Sequence, residues 1–148
     1  MKIGDVMNPR AVRILKDATL KEAAKLVSES QVSDLMVVDD QGKFAGVLSE
    51  GDIIRAALPG YDELMRDGTS LGGAWKVFLE KGKEIRDSKI ERLVIKSPVT
   101  FSSGEELLKA ASTMINKQIR VLPVVDDGRL VGTISRGDLC LAVLGGDK

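Results

Sequence analysis

Histidine is absent from this 148-residue chain, and cysteine occurs once, at Cys140. The absence of histidine excludes a Ser-His-Asp triad, a Cys-His pair, histidine-based zinc sites and imidazole acid–base catalysis. One cysteine cannot form an internal disulfide, which favours a reducing compartment, and in its apolar helical surroundings we expect Cys140 to be a small buried residue. The sequence also lacks a Walker loop, a glycine-rich dinucleotide turn and a metal-ligand cluster. We therefore predict that the protein is not an enzyme and holds no metal.

Long apolar runs are missing too: the longest fall far short of the ~20 residues that a membrane-spanning helix needs. Residues 1–10 lack the apolar stretch of a signal peptide. Lysine plus arginine and aspartate plus glutamate each number 22, so no net charge draws the chain to nucleic acid or to an anionic membrane. We expect a cytoplasmic protein without membrane contact, for which nucleic acid is a poor partner.

One segment of the sequence occurs twice. Residues 20–40 align with residues 107–127, and residues 42–56 align with residues 128–142 once Gln41 is left out. Each copy has two apolar strand-length runs around a turn that contains aspartate and glycine. A supersecondary unit that is used twice usually buries its apolar face against its copy. The chain is therefore predicted to fold as two related halves.

Each copy follows the order strand, helix, strand, strand, helix. Thr19 and Glu22 form a capping box that predicts a helix start, and apolar residues follow at helical spacing. In the second copy the capping box is formed by Ser103 and Glu106, which predicts a helix that starts about one turn earlier. The predicted strands are residues 11–15, 35–38, 44–48, 99–101, 121–125 and 130–134. We predict an α/β (α+β) fold of two pseudo-symmetric β-α-β-β-α units, organised as a first repeat (residues 1–58), a helical connector (residues 59–93) and a second repeat (residues 94–148).

The connector has no copy elsewhere in the chain. Trp75, Phe78 and Leu79 occur there at helical spacing, with several glycines nearby. We expect a helix that packs its aromatic edge on the core. The alternative is a lid or a surface for a partner.

The pattern Ser-x-Gly-Asp occurs at residues 49–52 and again at residues 135–138, each time after an apolar strand. The serines are expected to cap the following helix. An aspartate in the first helical turn is favoured by the helix dipole by about 0.3–1 kcal/mol, and its two oxygens can accept both hydroxyls of a ribose. The glycines would let a ligand approach the backbone. The duplicated pattern predicts a nucleoside-binding element in each half.

These features resemble a tandem pair of cystathionine-β-synthase-type (CBS) domains, also called a Bateman module. The matching features are GDVMNP at residues 4–9, VLPVVD at residues 121–126, the glycine-containing strand ends and both Ser-x-x-Asp elements. The resemblance covers residues 1–58 and 94–145. It implies two halves packed sheet to sheet, two clefts for adenosyl ligands such as AMP, ADP, ATP or S-adenosylmethionine, and a homodimer formed through the helices.

The resemblance also implies the residues of each cleft. Apolar side chains would sandwich the adenine, the aspartate would hold the ribose, and basic groups would meet phosphate. One cleft would combine Val47, Ser49, Asp52, Val99, Thr100, Ile119 and Arg120. The other would combine Thr133, Ser135, Asp138, Ala11, Val12, Val32, Ser33 and Asp34, with Arg136 or Arg13 as a basic group.

The two implied clefts differ in charge. Arg120 of the first lies where family members often reach phosphate, and Thr100 can help. The second has Asp34 near that place, and Met36 replaces the proline found at Pro123. We therefore expect a nucleotide in the first cleft, and a less anionic ligand or none in the second.

The leading prediction is a regulatory module that senses adenine nucleotide or S-adenosylmethionine and changes its own pairing or the state of a regulated protein. It would need no other cofactor. The alternative is a ligand-free dimerisation or scaffold domain whose Ser-x-x-Asp elements only cap helices.

Overall fold

The structure is a computed structural model that describes residues 1–58, 71–96 and 98–145. Residues 59–70 of the predicted connector lie outside the described residues. Two short 3₁₀ helices, Ile3–Asp5 and Ile90–Leu93, accompany the regular elements. In chain order these are β1 (Arg13–Leu15), α1 (Leu20–Ser30), β2 (Asp34–Val38), β3 (Phe44–Ser49), α2 (Glu50–Ala57), α3 (Leu71–Ile85), α4 (Leu107–Asn116), β4 (Val121–Asp126), β5 (Arg129–Ser135) and α5 (Arg136–Leu144).

The first repeat has a three-stranded sheet in the order β1, β2, β3. Strand β1 runs parallel to β2, and β2 pairs antiparallel with β3. The hairpin turn is closed by Asp39, whose Oδ1 accepts hydrogen bonds from the backbone N–H of Lys43 at 2.8 Å and of Gln41 at 2.9 Å. The helix predicted after Thr19 is present, because the Thr19 side chain accepts the N–H of Glu22. The predicted α/β architecture is confirmed.

In the second repeat, β4 and β5 form an antiparallel pair, and the predicted strand at residues 99–101 is reduced to one parallel bridge between Phe101 and Val124. The predicted capping box at Ser103 is wrong. Asp126 accepts hydrogen bonds from both the backbone N–H and the hydroxyl of Ser103, so that serine is held by the β4 end instead of capping a helix. Helix α4 therefore starts at Leu107, the position equivalent to the start of α1.

Among the residues that the structure describes, three clusters of buried apolar side chains hold the fold together. One fills each repeat, between its sheet and its helices. The third lies between the repeats and contains Ala11, Met36, Val38 and Leu130. Because its members come from strands or strand entries of both halves, the repeats pack sheet to sheet as predicted.

The two repeats also exchange segments. Ile3 is buried in the second repeat's core, and Ile90 is buried in the first repeat's core; both side chains are 0% exposed. The residues that follow them continue the exchange, since Asn8 pairs with Thr133 at the edge of β5 and Ile95 pairs with Val47 at the edge of β3. Each core is thus completed by chain from outside its own strand-helix unit.

The connector helix α3 and helix α5 correct two predictions. Trp75 is 61% exposed and stacks on Phe78 with ring centroids 5.4 Å apart, so it does not pack on the core as expected. The helix enters the first core through Ile85 at its carboxyl end.

Cys140 is exposed, because α5 turns its neighbour Leu139 into the core. A residue one position along a helix points about 100° away, so Cys140 faces outward.

Candidate ligand site

The Ser-x-Gly-Asp turn of the first repeat holds a carboxylate at the start of α2. Strand β3 ends at Ser49, whose Oγ accepts the backbone N–H of Asp52 at 3.1 Å and so caps the helix. The same hydroxyl donates to Asp52 Oδ2 at 2.8 Å. The Asp52 side chain is 22% exposed. One carboxylate is therefore fixed at the junction of strand and helix while part of it faces solvent.

The second carboxylate oxygen of Asp52 is occupied by Arg55, a residue that the sequence analysis did not single out. Arg55 Nη2 donates to Asp52 Oδ1 at 2.6 Å. Burial raises the pKa of Asp52, but the hydrogen bonds from Arg55 and Ser49 outweigh it, so the pKa lies below its usual value. Asp52 is ionised at neutral pH. The three-residue spacing of Asp52 and Arg55 on one helix face is the signal that identifies this pair.

The equivalent turn of the second repeat uses its carboxylate differently. Ser135 Oγ accepts the N–H of Asp138 at 3.1 Å, and Asp138 Oδ2 accepts the N–H of Ser135 at 2.8 Å, which completes a capping box. Leu141, 65% exposed, occupies the position equivalent to Arg55. Within the described part of the chain, Asp138 Oδ1 has no hydrogen-bond donor. Asp138 Oδ1 therefore lacks the arginine partner that Asp52 Oδ1 has in the first repeat.

The remaining residues of the first implied cleft are placed on both repeats. The N–H of Val47 donates to the Ile95 carbonyl at 3.1 Å, and the Ile95 N–H donates to the Val47 carbonyl at 2.9 Å. This pairing brings the chain that leads to Val99 and Thr100 alongside β3. Val99 is partly buried on the second core, and Thr100 is exposed.

Arg120 has an exposed side chain that makes no ion pair or hydrogen bond within the described residues. Its carbonyl accepts the N–H of Arg136 at 3.2 Å, and the carbonyl of Ile119 accepts Arg136 Nε at 3.1 Å. These bonds tie Ile119 and Arg120 to the Ser135 turn of their own repeat. Their participation in a cleft with Ser49 and Asp52 stays a prediction.

The residues of the second implied cleft are also held by backbone pairing. Buried Thr133 exchanges two hydrogen bonds with Asn8, at 2.8 and 3.0 Å. Ala11 is buried between the sheets. Arg13 crosses to the second repeat and donates to the Leu130 carbonyl at 3.3 Å, so its guanidinium is partly engaged.

Ser33 and Asp34 lie beside the Ser49 turn. The Ser33 carbonyl accepts the N–H of Glu50 at 2.9 Å, while the Ser33 hydroxyl donates to Asp34 Oδ2 at 2.8 Å. Val12 and Val32 pack on the first core. Val32 and Ser33 also line an open groove of about 390 Å³ between α1 and α2, together with Ala24, Val27, Ser28, Gln31, Glu50, Ile53 and Ile54.

Residues 1–58, 71–96 and 98–145 contain no group of three or more metal-ligating side chains. None of the helices in these ranges combines the length and the apolar character needed to cross a bilayer.

The duplicated fold with its paired turns defines a class of protein. The CBS domain model matches residues 3–59 and 90–145, which together make up most of the chain. The chain therefore belongs to the CBS domain family and carries a tandem pair of these domains.

Among its relatives is CBSX2 of Arabidopsis thaliana, a chloroplastic CBS domain-containing protein. It is 32% identical over 152 residues, which cover 96% of this chain and 63% of CBSX2. A crystal structure of CBSX2 in complex with AMP matches with a TM-score of 0.75 at 26% identity, over 97% of this chain and 96% of that one. The CBS domain pair of MJ0100, solved with 5′-methylthioadenosine and S-adenosyl-L-methionine, has a TM-score of 0.66 at 20% identity, covers 97% of this chain and 99% of that one, and supports the fold alone.

Proposed function

We propose that this protein is a regulatory module that binds adenosyl ligands between its two CBS repeats and is not itself catalytic. The observation that carries the proposal is the Asp52 carboxylate, ionised and held at the end of β3 by Ser49. A carboxylate in this setting can accept both hydroxyls of a ribose. The match to CBSX2, whose structure contains AMP, supports an adenine nucleotide as the ligand class.

The proposed mechanism is a shift in the population of conformations. A ligand that contacts both repeats stabilises the arrangement in which both contacts exist, and the shift is limited by its differential affinity for the two arrangements. The segment exchange supports this coupling, because Val47 and Thr133 are each tied to a segment that leads from one repeat into the other. The regulated output is the protein's own pairing or the state of another protein.

A homodimer formed through the helices is part of the proposal. The exposed apolar side chains of the helices include Ile54 on α2, Leu108 and Ile115 on α4, and Leu141 and Val143 on α5. A second copy would remove this surface from water. We place the protein in a reducing compartment such as the cytoplasm, because exposed Cys140 would otherwise be open to intermolecular disulfide formation.

The first cleft is the proposed nucleotide site. Arg120 is exposed and unpaired within the described residues, so its guanidinium is available to a phosphate. The resemblance assigns Asp34, which pairs with Ser49 between β2 and β3, to the second cleft, where its negative charge would repel a phosphate. We therefore assign a phosphorylated ligand to the first cleft, and a less anionic ligand or none to the second.

Isothermal titration calorimetry tests the proposal with AMP, ADP, ATP and S-adenosylmethionine. We expect Asp52→Asn to weaken the best ligand by about 10-fold or more, because hydrogen bonds to a charged group contribute about 1.5–3 kcal/mol. Asp40→Asn is the matched control, since Asp40 is exposed in the β2–β3 turn. Equal affinities for wild type and Asp52→Asn would remove the ribose assignment.

A ligand-free scaffold is the second candidate, and one observation favours it. Ser49 and Ser135 both cap helices, so each turn has a structural role without any ligand. Thermal melting with millimolar adenosyl ligands separates the candidates, because a ligand at 100 times its Kd stabilises by about 2.7 kcal/mol. A melting temperature that no ligand of the panel changes supports the scaffold.

A further inference from the structure

The two Ser-x-Gly-Asp turns differ at one position on the helix surface. In the first repeat Arg55 lies three residues after Asp52 and four after Gly51, and its guanidinium reaches both. In the second repeat that position is Leu141, which is 65% exposed and contributes no charge. The two turns therefore hold equivalent carboxylates, of which Asp52 has a cation beside it and Asp138 does not.

Arg55 covers the surface that a ligand would need. Its guanidinium donates to Asp52 Oδ1 at 2.6 Å. It also folds back over Gly51, where an added Cβ would lie 3.3 Å from Nη1 and 3.5 Å from Nη2. The glycine that would let a ligand approach and the carboxylate that would hold its ribose are thus occupied by the same side chain.

The cation is held loosely enough to move. The Arg55 side chain is 69% exposed, and Asp52 is its only ion-pair partner within the described residues. Such exposed pairs are weak, so a ligand hydroxyl can replace the guanidinium at Asp52. An uncharged ligand would leave the displaced cation without a partner, whereas a phosphorylated ligand would supply a new one.

We infer that Arg55 is the charge selector of the first cleft: it pairs with Asp52 in the free protein and with the ligand's phosphate once a ribose replaces it. The inference rests on the proposed function and extends it, because it names the residue that makes this cleft prefer phosphorylated over uncharged adenosyl ligands. In the second cleft the equivalent residue is Leu141, which carries no charge and cannot favour phosphorylated ligands.

Calorimetric titration with AMP and adenosine tests the inference. All proteins carry Asp138→Asn, which removes the ribose-binding carboxylate of the other cleft. We expect Arg55→Leu, which copies the residue of the second repeat, to lower the preference for AMP over adenosine by about 10-fold. The loss should come from weaker AMP binding, with adenosine binding unchanged or tighter because Asp52 is released.

Two control variants define the result. Arg55→Lys keeps the charge and should retain most of the AMP preference, although it loses the planar fork. Arg86→Leu removes the same charge from an exposed arginine that pairs with Asp87 at 3.9 Å, and it should leave the preference unchanged.

The outcomes separate this inference from the proposed function. If wild type and Arg55→Leu both bind AMP and their AMP-to-adenosine ratios are equal, the inference is wrong while the proposed function stands. If Arg86→Leu lowers the ratio as much as Arg55→Leu does, overall charge is responsible and Arg55 is not the selector. If the parent protein binds neither AMP nor adenosine, the inference is wrong, and the titration with ADP, ATP and S-adenosylmethionine decides separately whether the proposed function stands.

Discussion

The close approach of the exchanged segments to the sheet edges makes Gly46 a sensitive position. An alanine Cβ at Gly46 would overlap the carbonyl oxygen of Ile95 and lie 2.5 Å from Val94 Cγ1. The backbone there also has φ +146°, a conformation that residues with a Cβ rarely adopt. Gly46→Ala must therefore push the Ile95 segment away from β3 and strain the strand.

The magnitude follows from these contacts. Withdrawal of the segment breaks two backbone hydrogen bonds between Val47 and Ile95, each contributing about 1 kcal/mol. Withdrawal of the segment relieves the overpacking, but the backbone strain at Gly46 stays and adds about 1–3 kcal/mol. We expect Gly46→Ala to lower the free energy of unfolding by about 4 kcal/mol, which corresponds to a fall in Tm of roughly 8–16 °C for a chain of this size.

Thermal unfolding followed by circular dichroism measures the effect, and two other glycines calibrate it. Gly132→Ala should destabilise less, because its Cβ would lie 2.7 Å from the Asn8 carbonyl oxygen but its φ is outside the left-handed range. Gly104→Ala should have almost no effect, since nothing lies within 4 Å of its Cβ position. A Gly46→Ala protein that melts together with Gly104→Ala would refute the close-approach argument.

Two further predictions concern stability. Gly82→Ala should raise Tm by about 2 °C, because Gly82 lies inside α3 with nothing within 4 Å of its Cβ position, and alanine is favoured over glycine in a helix by about 0.5–1 kcal/mol; an unchanged or lower Tm would contradict this. Asp126 accepts two hydrogen bonds from Ser103, and these hold the pKa of its carboxyl below the usual range. Its contribution is therefore complete above the unfolded-state pKa of about 3.9 and is lost as the pH falls through the lower folded-state pKa. The Tm difference between wild type and Asp126→Asn, measured from pH 7 to pH 3, should shrink only in the acid part of that range, and a difference that is constant throughout would show that the charge is irrelevant.

The local elements were predictable because their signals lie within a few residues of sequence. The Thr19 cap and the turn after Asp39 each follow from side-chain hydrogen bonds to nearby backbone, and the structure confirms both. The repeat predicted two halves that bury their apolar faces against each other, and the resemblance to CBS domain pairs implied that they pack sheet to sheet.

The wrong predictions concern features that depend on tertiary structure, either contact between distant parts of the chain or the orientation of a helix on the core. Ser103 has the local pattern of a helix cap, but Asp126 reaches it from 23 residues away. Cys140 and Trp75 occur in apolar patterns, yet helix orientation leaves both exposed. The segment exchange was also not predicted, because no local pattern indicates which core Ile3 or Ile90 enters.

Arg55 was overlooked for a different reason. The ligand prediction rested on the residues that the two Ser-x-Gly-Asp turns share, whereas Arg55 is a residue in which the two repeats differ. Its importance depends on where its guanidinium points, which the contact with Asp52 and the approach to Gly51 make visible.

The segment exchange has a consequence for how this protein can be divided. Removing Ile3 from one core or Ile90 from the other would leave a cavity, and loss of a buried isoleucine side chain costs about 2–5 kcal/mol. A repeat produced on its own would therefore lack one buried isoleucine of its hydrophobic core. Two such fragments should associate on mixing, because each supplies the isoleucine that the other lacks. We therefore do not expect either repeat to fold as an independent unit when it is moved into another protein.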